Sequence, residues 1–371
     1  MIFNDVLENV KLYEAGKPIE LLVRQYGIKE NDIIKLASNE NPYGTSLVVQ
    51  NKIKSIVQNM FRYPDDSMYE LKKSLSLKFN VNDDNIIIGC GSDQVLDFCV
   101  KAKCAYSSNV IMSNTTFAMY EIYSNQVGAN ILKTKDDLHN LEQFKMLYKK
   151  YGADIIFLCL PNNPLGECLN RSDVYDFLDE IDDNTLVIVD GAYQEYASFK
   201  DNSKKIDPYD LISKYNNTIY LGTFSKAYGL GGMRIGYGIA CENIINSLLK
   251  LRPPFNITNL SLQAAIEVLK DQSFVDDCIS KNFVQMKRYE DYVIDKGFCF
   301  IDSYTNFITI KFDDTIKSCY IFKKLLENGI IVRNLKSYGI NAIRVTIGRD
   351  FENTKFFNVL DNILLKISSK L

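Results

Sequence analysis

The stretch "TIYLGTFSKAYGLGGMRIGYGIA" (residues 218–240) places a lysine between two apolar runs. "TIYLGT" (218–223) reads as a buried strand, and "MRIGYGIA" (233–240) as a further strand, antiparallel to the rest. Between them Lys226 follows a hydroxyl, Ser225, in a glycine-rich turn, with Arg234 eight positions on. A lysine in a surface loop needs no such setting. A lysine whose amine must lose its proton does need burial or neighbouring cations.

Similar apolar runs recur on the N-terminal side. "NIIIG" (85–89) precedes the helical pattern "SDQVLDFCVKAKC", and "NVIMS" (109–113) precedes "FAMYEIYSNQ". "ADIIFLCL" (153–160) leads through "PNNPLGE" to "RSDVYDFLDEI", and "TLVIVD" (185–190) follows. Strands alternating with helices predict βαβ units in a mostly parallel sheet covered on both faces. From about Leu260 the texture changes to two long helical patterns, "LSLQAAIEVLKD" and "FVDDCISKNFVQMKRYEDYVIDKG". Short strands then resume in "NFITIKF", "IIVRN" and "AIRVTIG", ahead of a last helix from about Glu352. The reading is an α/β protein with an N-terminal arm (1–28), a large α/β domain (29–270) and a smaller α+β domain (271–371).

Bulk properties narrow the function. The net charge is -3 without a basic run, which speaks against nucleic acid and anionic membranes as partners. Apolar stretches are strand-sized, far short of the roughly 18 residues of a membrane span. The N-terminal residues carry no apolar signal-peptide core, so a cytoplasmic protein is expected. Nine cysteines without a C-x-x-C, several in apolar segments (Cys99, Cys104, Cys159, Cys299), read as small buried hydrophobes in a reducing compartment. The single histidine, His139, falls in the polar stretch "KTKDDLHNLEQF" and reads as part of a solvated helix. Acid–base chemistry must then rest on other groups, and no metal is expected.

"GCGSDQ" (89–94) opens like a dinucleotide-binding turn but has Gln94 in place of the third glycine and no acid about 20 residues on. A nicotinamide-dependent oxidoreductase is thus the weaker alternative. What survives is an anion site, with Gly91, Ser92 and Asp93 at a helix start exposing backbone N–H groups to a phosphate. If Lys226 forms a Schiff base with an aldehyde cofactor, that cofactor is pyridoxal 5'-phosphate, an electron sink at the amino-acid α-carbon. Candidates exist for each of its needs. Asp190 ends a strand and can hold a pyridinium proton. Tyr193 can reach the ring oxygen, and Asn163, a further cofactor-binding candidate, follows another strand at the same sheet edge. Thr223, Ser225 and Arg234 flank the lysine and can grip the phosphate, and Phe117 can stack on the ring.

"PNNPLGE", "VDGAYQEY", "TFSKAYGLGGMRIGYG", "PPFNIT", "SYTNFI" and "IRVTIG" resemble, in order, the motifs of the class I/II aminotransferases of fold type I. Within them the chain is most similar to the histidinol-phosphate aminotransferase branch, which "KLASNENPYG" and "RYPD" also resemble. The resemblance implies a seven-stranded-type large-domain sheet and a homodimer with active sites at the subunit interface. Lys226 would be both Schiff-base lysine and proton shuttle. Tyr63 would reach the phosphate of the other subunit's cofactor. Arg344 would clamp the amino donor's carboxylate, with Asn163 beside it, and Arg333 and Tyr13 would contact a phosphorylated substrate. Glutamate and histidinol phosphate/imidazole acetol phosphate are the implied substrates. Alternatives within the fold are amination of a three-carbon phosphoketone such as dihydroxyacetone phosphate, and phosphoamino-acid decarboxylation. Departures from the branch are Phe117 for Tyr, Gly191 for Glu and Leu165 for Thr.

Overall fold

The structure is a computed structural model, and it describes residues 4–13 and 19–368. Seven strands make the central sheet: β2 (Ile86–Gly89), β3 (Asn109–Met112), β4 (Asn130–Lys133), β5 (Ile155–Cys159), β6 (Leu186–Asp190), β7 (Thr218–Thr223) and β8 (Gly236–Ala240). Their order is β2-β8-β7-β6-β5-β3-β4, and only β8 runs against its neighbours. The strands β2, β5 and β6 are near-continuous apolar runs because both faces are covered. Alternation divides each strand between two cores: Ile156, Leu158, Val187 and Val189 face one layer of helices, while Ile155, Phe157, Leu186 and Ile188 face the other.

β8 is antiparallel to both β2 and β7, so β2 points the same way as the parallel strands. The carboxyl ends of β2, β3, β5, β6 and β7 therefore share one edge. Cys159 lies opposite Asp190, and Asp190 opposite Leu221, which fixes the mutual height of those ends.

Two consecutive helices, Asn259–Leu269 and Gln272–Asp295, lead to the C-terminal unit. There β9 (Cys299–Ile301), β10 (Phe307–Lys311), β12 (Arg333–Asn334) and β13 (Ala342–Thr346) form an antiparallel sheet of order β12-β13-β10-β9, packed on the helix Asp350–Ser368. Residues 34–37, which the sequence reading counts within the large domain, pack here instead. β1 (Ile34–Lys35) pairs in parallel with β11 (Ile330–Ile331), and Ile34 and Leu36 enter the C-terminal core.

Three other expectations change. β4 has no counterpart in the sequence reading; it is an edge strand with half-buried and exposed side chains, so it lacks an apolar run. The run 233–240 yields a strand only from Gly236, because Gly231–Met233 form a 3-10 turn and Arg234 takes a left-handed φ of 51°. Cys99, Cys104 and Cys159 are buried as expected, but Cys299 is exposed on the edge strand β9. Among the described residues no helix is long and apolar enough to cross a membrane.

Candidate active site

A cavity of about 450 Å³ opens at the shared strand edge. Its lining includes Gly91, Ser92, Asp93, Phe117, Asn163, Asp190, Tyr193, Thr223, Ser225, Lys226 and Arg234, together with Tyr13, Arg333 and Arg344. Every candidate named from the sequence is there except Tyr63. That side chain is 80% exposed and stacks on Phe255 at 4.6 Å, away from the cavity of its own chain.

Lys226 is half-buried three residues past β7, and its Nζ donates to the Ser38 carbonyl at 3.3 Å. Burial, then the charges of Arg344 and Arg234, lower its pKa from the usual lysine value to about 8. Asp190 is buried at the end of β6. It accepts from the Tyr120 hydroxyl at 2.7 Å and from the Ala192 N–H at 3.1 Å. Burial raises its pKa against the pull of those donors. Tyr193 Oη accepts from Asn39 Nδ2 at 2.8 Å, which leaves its own O–H free to donate.

The phosphate-sized end of the cavity is a cluster of donors. Arg234 Nη1 donates to Ser225 Oγ at 3.2 Å, and the Arg234 guanidinium lies against the first turn of the helix Gly91–Lys103. Gly91 has φ +75°, and a Cβ there would meet Arg234 Nη2 at 2.8 Å, so only glycine lets the guanidinium and the helix start converge. Helix N–H groups, two hydroxyls and an arginine, with no acid bridging them, suit a dianionic phosphate. One oxygen of Asp93, Oδ2, accepts from the Tyr123 hydroxyl at 2.8 Å. Gln94, in place of the third glycine, ties the turn to "PPFNIT": its Oε1 accepts from Cys90 N at 2.8 Å and Asn256 Nδ2 at 2.7 Å.

Opposite this end, Arg344 is buried on β13. It donates from Nη1 to Asn163 Oδ1 at 2.6 Å and from Nη2 to the Ala37 carbonyl at 2.7 Å, over the Phe307 ring. Two departures from the family pattern find physical partners. A Cβ on Gly191 would strike the Tyr220 ring at 2.5 Å, so the tyrosine fills the space a side chain would need. Leu165 packs on Leu335 and Ala342 of the C-terminal unit.

His139 is not on a solvated helix. Asn140 caps the helix Leu141–Tyr151, which leaves His139 in the preceding loop, buried beside Phe144 with Nδ1 3.1 Å from Glu167 Oε1. Sequence reasoning missed Tyr120, Asn39 and Tyr338, the last of which lines the cavity beside Arg333. Tyr120 lies 70 residues from the carboxylate it holds, and no local pattern marks such a contact. Asn39 does stand in the quoted "KLASNENPYG", and its left-handed φ of 54° is a turn signal of Asn.

The fold and the cavity define a fold type I pyridoxal-phosphate enzyme. The chain belongs to the aminotransferase class I and II family, whose model matches residues 31–360. It is 65% identical to the histidinol-phosphate aminotransferase of Aliarcobacter butzleri over 98% of this chain and 99% of that one. It is 59% identical to that of Wolinella succinogenes over the same shares. Among solved structures, the histidinol-phosphate aminotransferase of Sinorhizobium meliloti in complex with pyridoxal 5'-phosphate superposes with a TM-score of 0.90 at 25% identity, over 100% of this chain and 98% of that chain.

Proposed function

We propose that the chain is a cytoplasmic, homodimeric histidinol-phosphate aminotransferase that moves an amino group from glutamate to imidazole acetol phosphate. The observation that carries this reading is the 65% identity over nearly the full length of a relative of that name.

Bound pyridoxal 5'-phosphate supplies the electron sink at the amino donor's α-carbon. Ser225, Thr223, Arg234 and the N–H groups of Ser92 and Asp93 would bind its phosphate. Asp190 would hold a proton on its ring nitrogen, and Tyr120 orients that carboxylate. A cation there would offset the burial that raises the Asp190 pKa. Tyr193 would donate to the ring oxygen, and Asn163 and Phe117 would help hold the ring. Lys226 Nζ, its pKa lowered to about 8, would take the proton from the substrate α-carbon and deliver it two bonds away, across the intervening nitrogen. Arg344 clamps the glutamate carboxylate with its planar fork. Arg333 and Tyr13 add contacts to the phosphate of the second substrate.

Tyr63 would serve the neighbouring subunit. Its exposed face, with Met60, Phe61 and Phe255, is the apolar surface that a second copy would cover. Steady-state turnover with glutamate on a panel of phosphorylated ketones tests the substrate. Imidazole acetol phosphate should have the highest kcat/KM. Preference for dihydroxyacetone phosphate, or release of CO2 from a phosphoamino acid, would overturn the assignment.

A further inference from the structure

Glu167 does not line the cavity, yet it closes a turn that joins the two units of the molecule. The turn 161–167 hangs from β5, and its tip is seated in the C-terminal unit. Thr309 Oγ1 donates to the Pro164 carbonyl at 2.8 Å, Tyr304 N–H donates to the Gly166 carbonyl at 2.8 Å, and Leu165 is buried against Leu335. Within the turn, Asn163 accepts the Arg344 guanidinium at 2.6 Å.

At the root of the turn, one oxygen of Glu167 gathers three donors. Oε1 accepts from Asn162 Nδ2 at 2.7 Å, from His139 Nδ1 at 3.1 Å and from the His139 N–H at 3.3 Å. Asn162 in turn donates to the Thr115 carbonyl at 2.9 Å and accepts from Thr116 Oγ1 at 3.0 Å, on the segment that leads to Phe117. The His139 ring is stacked 5.9 Å from Phe144 with an interplanar angle of 12°. Glu167 Oε2 and His139 Nε2 are both buried without a hydrogen-bond partner. Burying a carboxylate and an imidazole with half their capacity unused is costly, and stability alone does not account for it. The arrangement does hold Asn162, and so Asn163, in one place.

We propose that Glu167, clamped by His139, is a positioning residue that fixes Asn162 and, through the adjacent Asn163, sets Arg344 for the amino donor's carboxylate. The inference rests on the aminotransferase reading of Arg344. Glu167→Ala in the holoenzyme should raise KM for glutamate about tenfold or more, with kcat within about threefold. Glu167→Gln keeps an acceptor oxygen for the same donors and should restore most of the loss. A Glu167→Ala enzyme with unchanged KM, or a Gln variant no better than Ala, would overturn the proposal.

If Glu167→Ala does not fold, the wild-type holoenzyme decides, because its one histidine gives a single set of 15N imidazole signals. Those signals should report an Nδ1–H ring with bare Nε2, and they should shift when glutarate, an unreactive dicarboxylate, saturates the site. The opposite tautomer, or no response to glutarate, would overturn it. Failure of the wild type to turn over glutamate would instead break the functional reading, and the histidine signals would remain readable.

Discussion

On the sheet side of the cavity, Asp190, Lys226 and Arg234 hang from β6, β7 and the turn before β8, whose heights are set by backbone ladders. On the other side, Arg344 is tied to the large unit by two bonds, at 2.6 Å to Asn163 and 2.7 Å to the Ala37 carbonyl. The first set belongs to one unit and stands on or just beside the strands of its sheet. The second stands on β13, itself paired with β10 and β12, and meets the first across the junction of the two units, where polar contacts can exchange while both sheets stay intact. On the proposed reading, chemistry common to both half-reactions sits on the rigid sheet side, and recognition of two unlike substrates sits on the adjustable junction side. Preorganised charge is most effective where it need not reorganise, which favours this division.

Perturbing the rigid side should have the largest effects. Lys226→Ala should bind the cofactor yet slow α-proton transfer at least about 10⁴-fold in single-turnover assays, the upper range for a positioned acid–base group. Wild-type rates would remove the lysine from its role. Asp190→Asn should fold normally, by circular dichroism and melting, and lose about 10²–10³-fold in kcat, the scale for one electrostatic group at the reacting centre. A folded variant with near-normal kcat would show that the buried carboxylate is merely structural.

Effects on the adjustable side should be smaller and should differ between substrates. Arg344→Lys keeps the charge but loses the fork, so both half-reactions should slow by about 1.5–3 kcal/mol. Arg333→Ala should cost a comparable or smaller amount with the phosphorylated substrate and little with glutamate. Equal losses on both substrates would erase the division between the two sides. The gentlest probe is pH. In cofactor-free protein the Lys226 amine is protonated below about 8 and neutral above it, so acylation by an amine reagent should rise through that pH. An exposed lysine should respond only near about 10.4. A Lys226 labelling curve that coincides with the surface lysines would contradict the desolvated setting.

The rigid side is the more legible in sequence. Buried parallel strands are continuous apolar runs, and residues just past their ends share an edge as a matter of topology, so the sequence alone groups Asp190, Asn163 and Lys226. The adjustable side depends on contacts between distant segments. Asn39 bonds Tyr193 and Thr346, the latter 307 residues away, and no periodicity encodes that. Motif resemblance supplies Arg344, Arg333 and Tyr13, and the cavity gathers all three. His139 misleads because its polar neighbours face solvent while its own side chain turns inward. β1 escapes the sequence reading because a two-residue strand gives no pattern to read.

Every role assigned at this site depends on which residue the cofactor joins. Reducing the holoenzyme with borohydride and mapping the modified peptide by mass spectrometry tests it directly. The cofactor should be fixed to Lys226, within "TFSKAYGLGG", with loss of the visible band. Attachment to any other lysine, or none, would contradict the assignment on which the rest of the site is built.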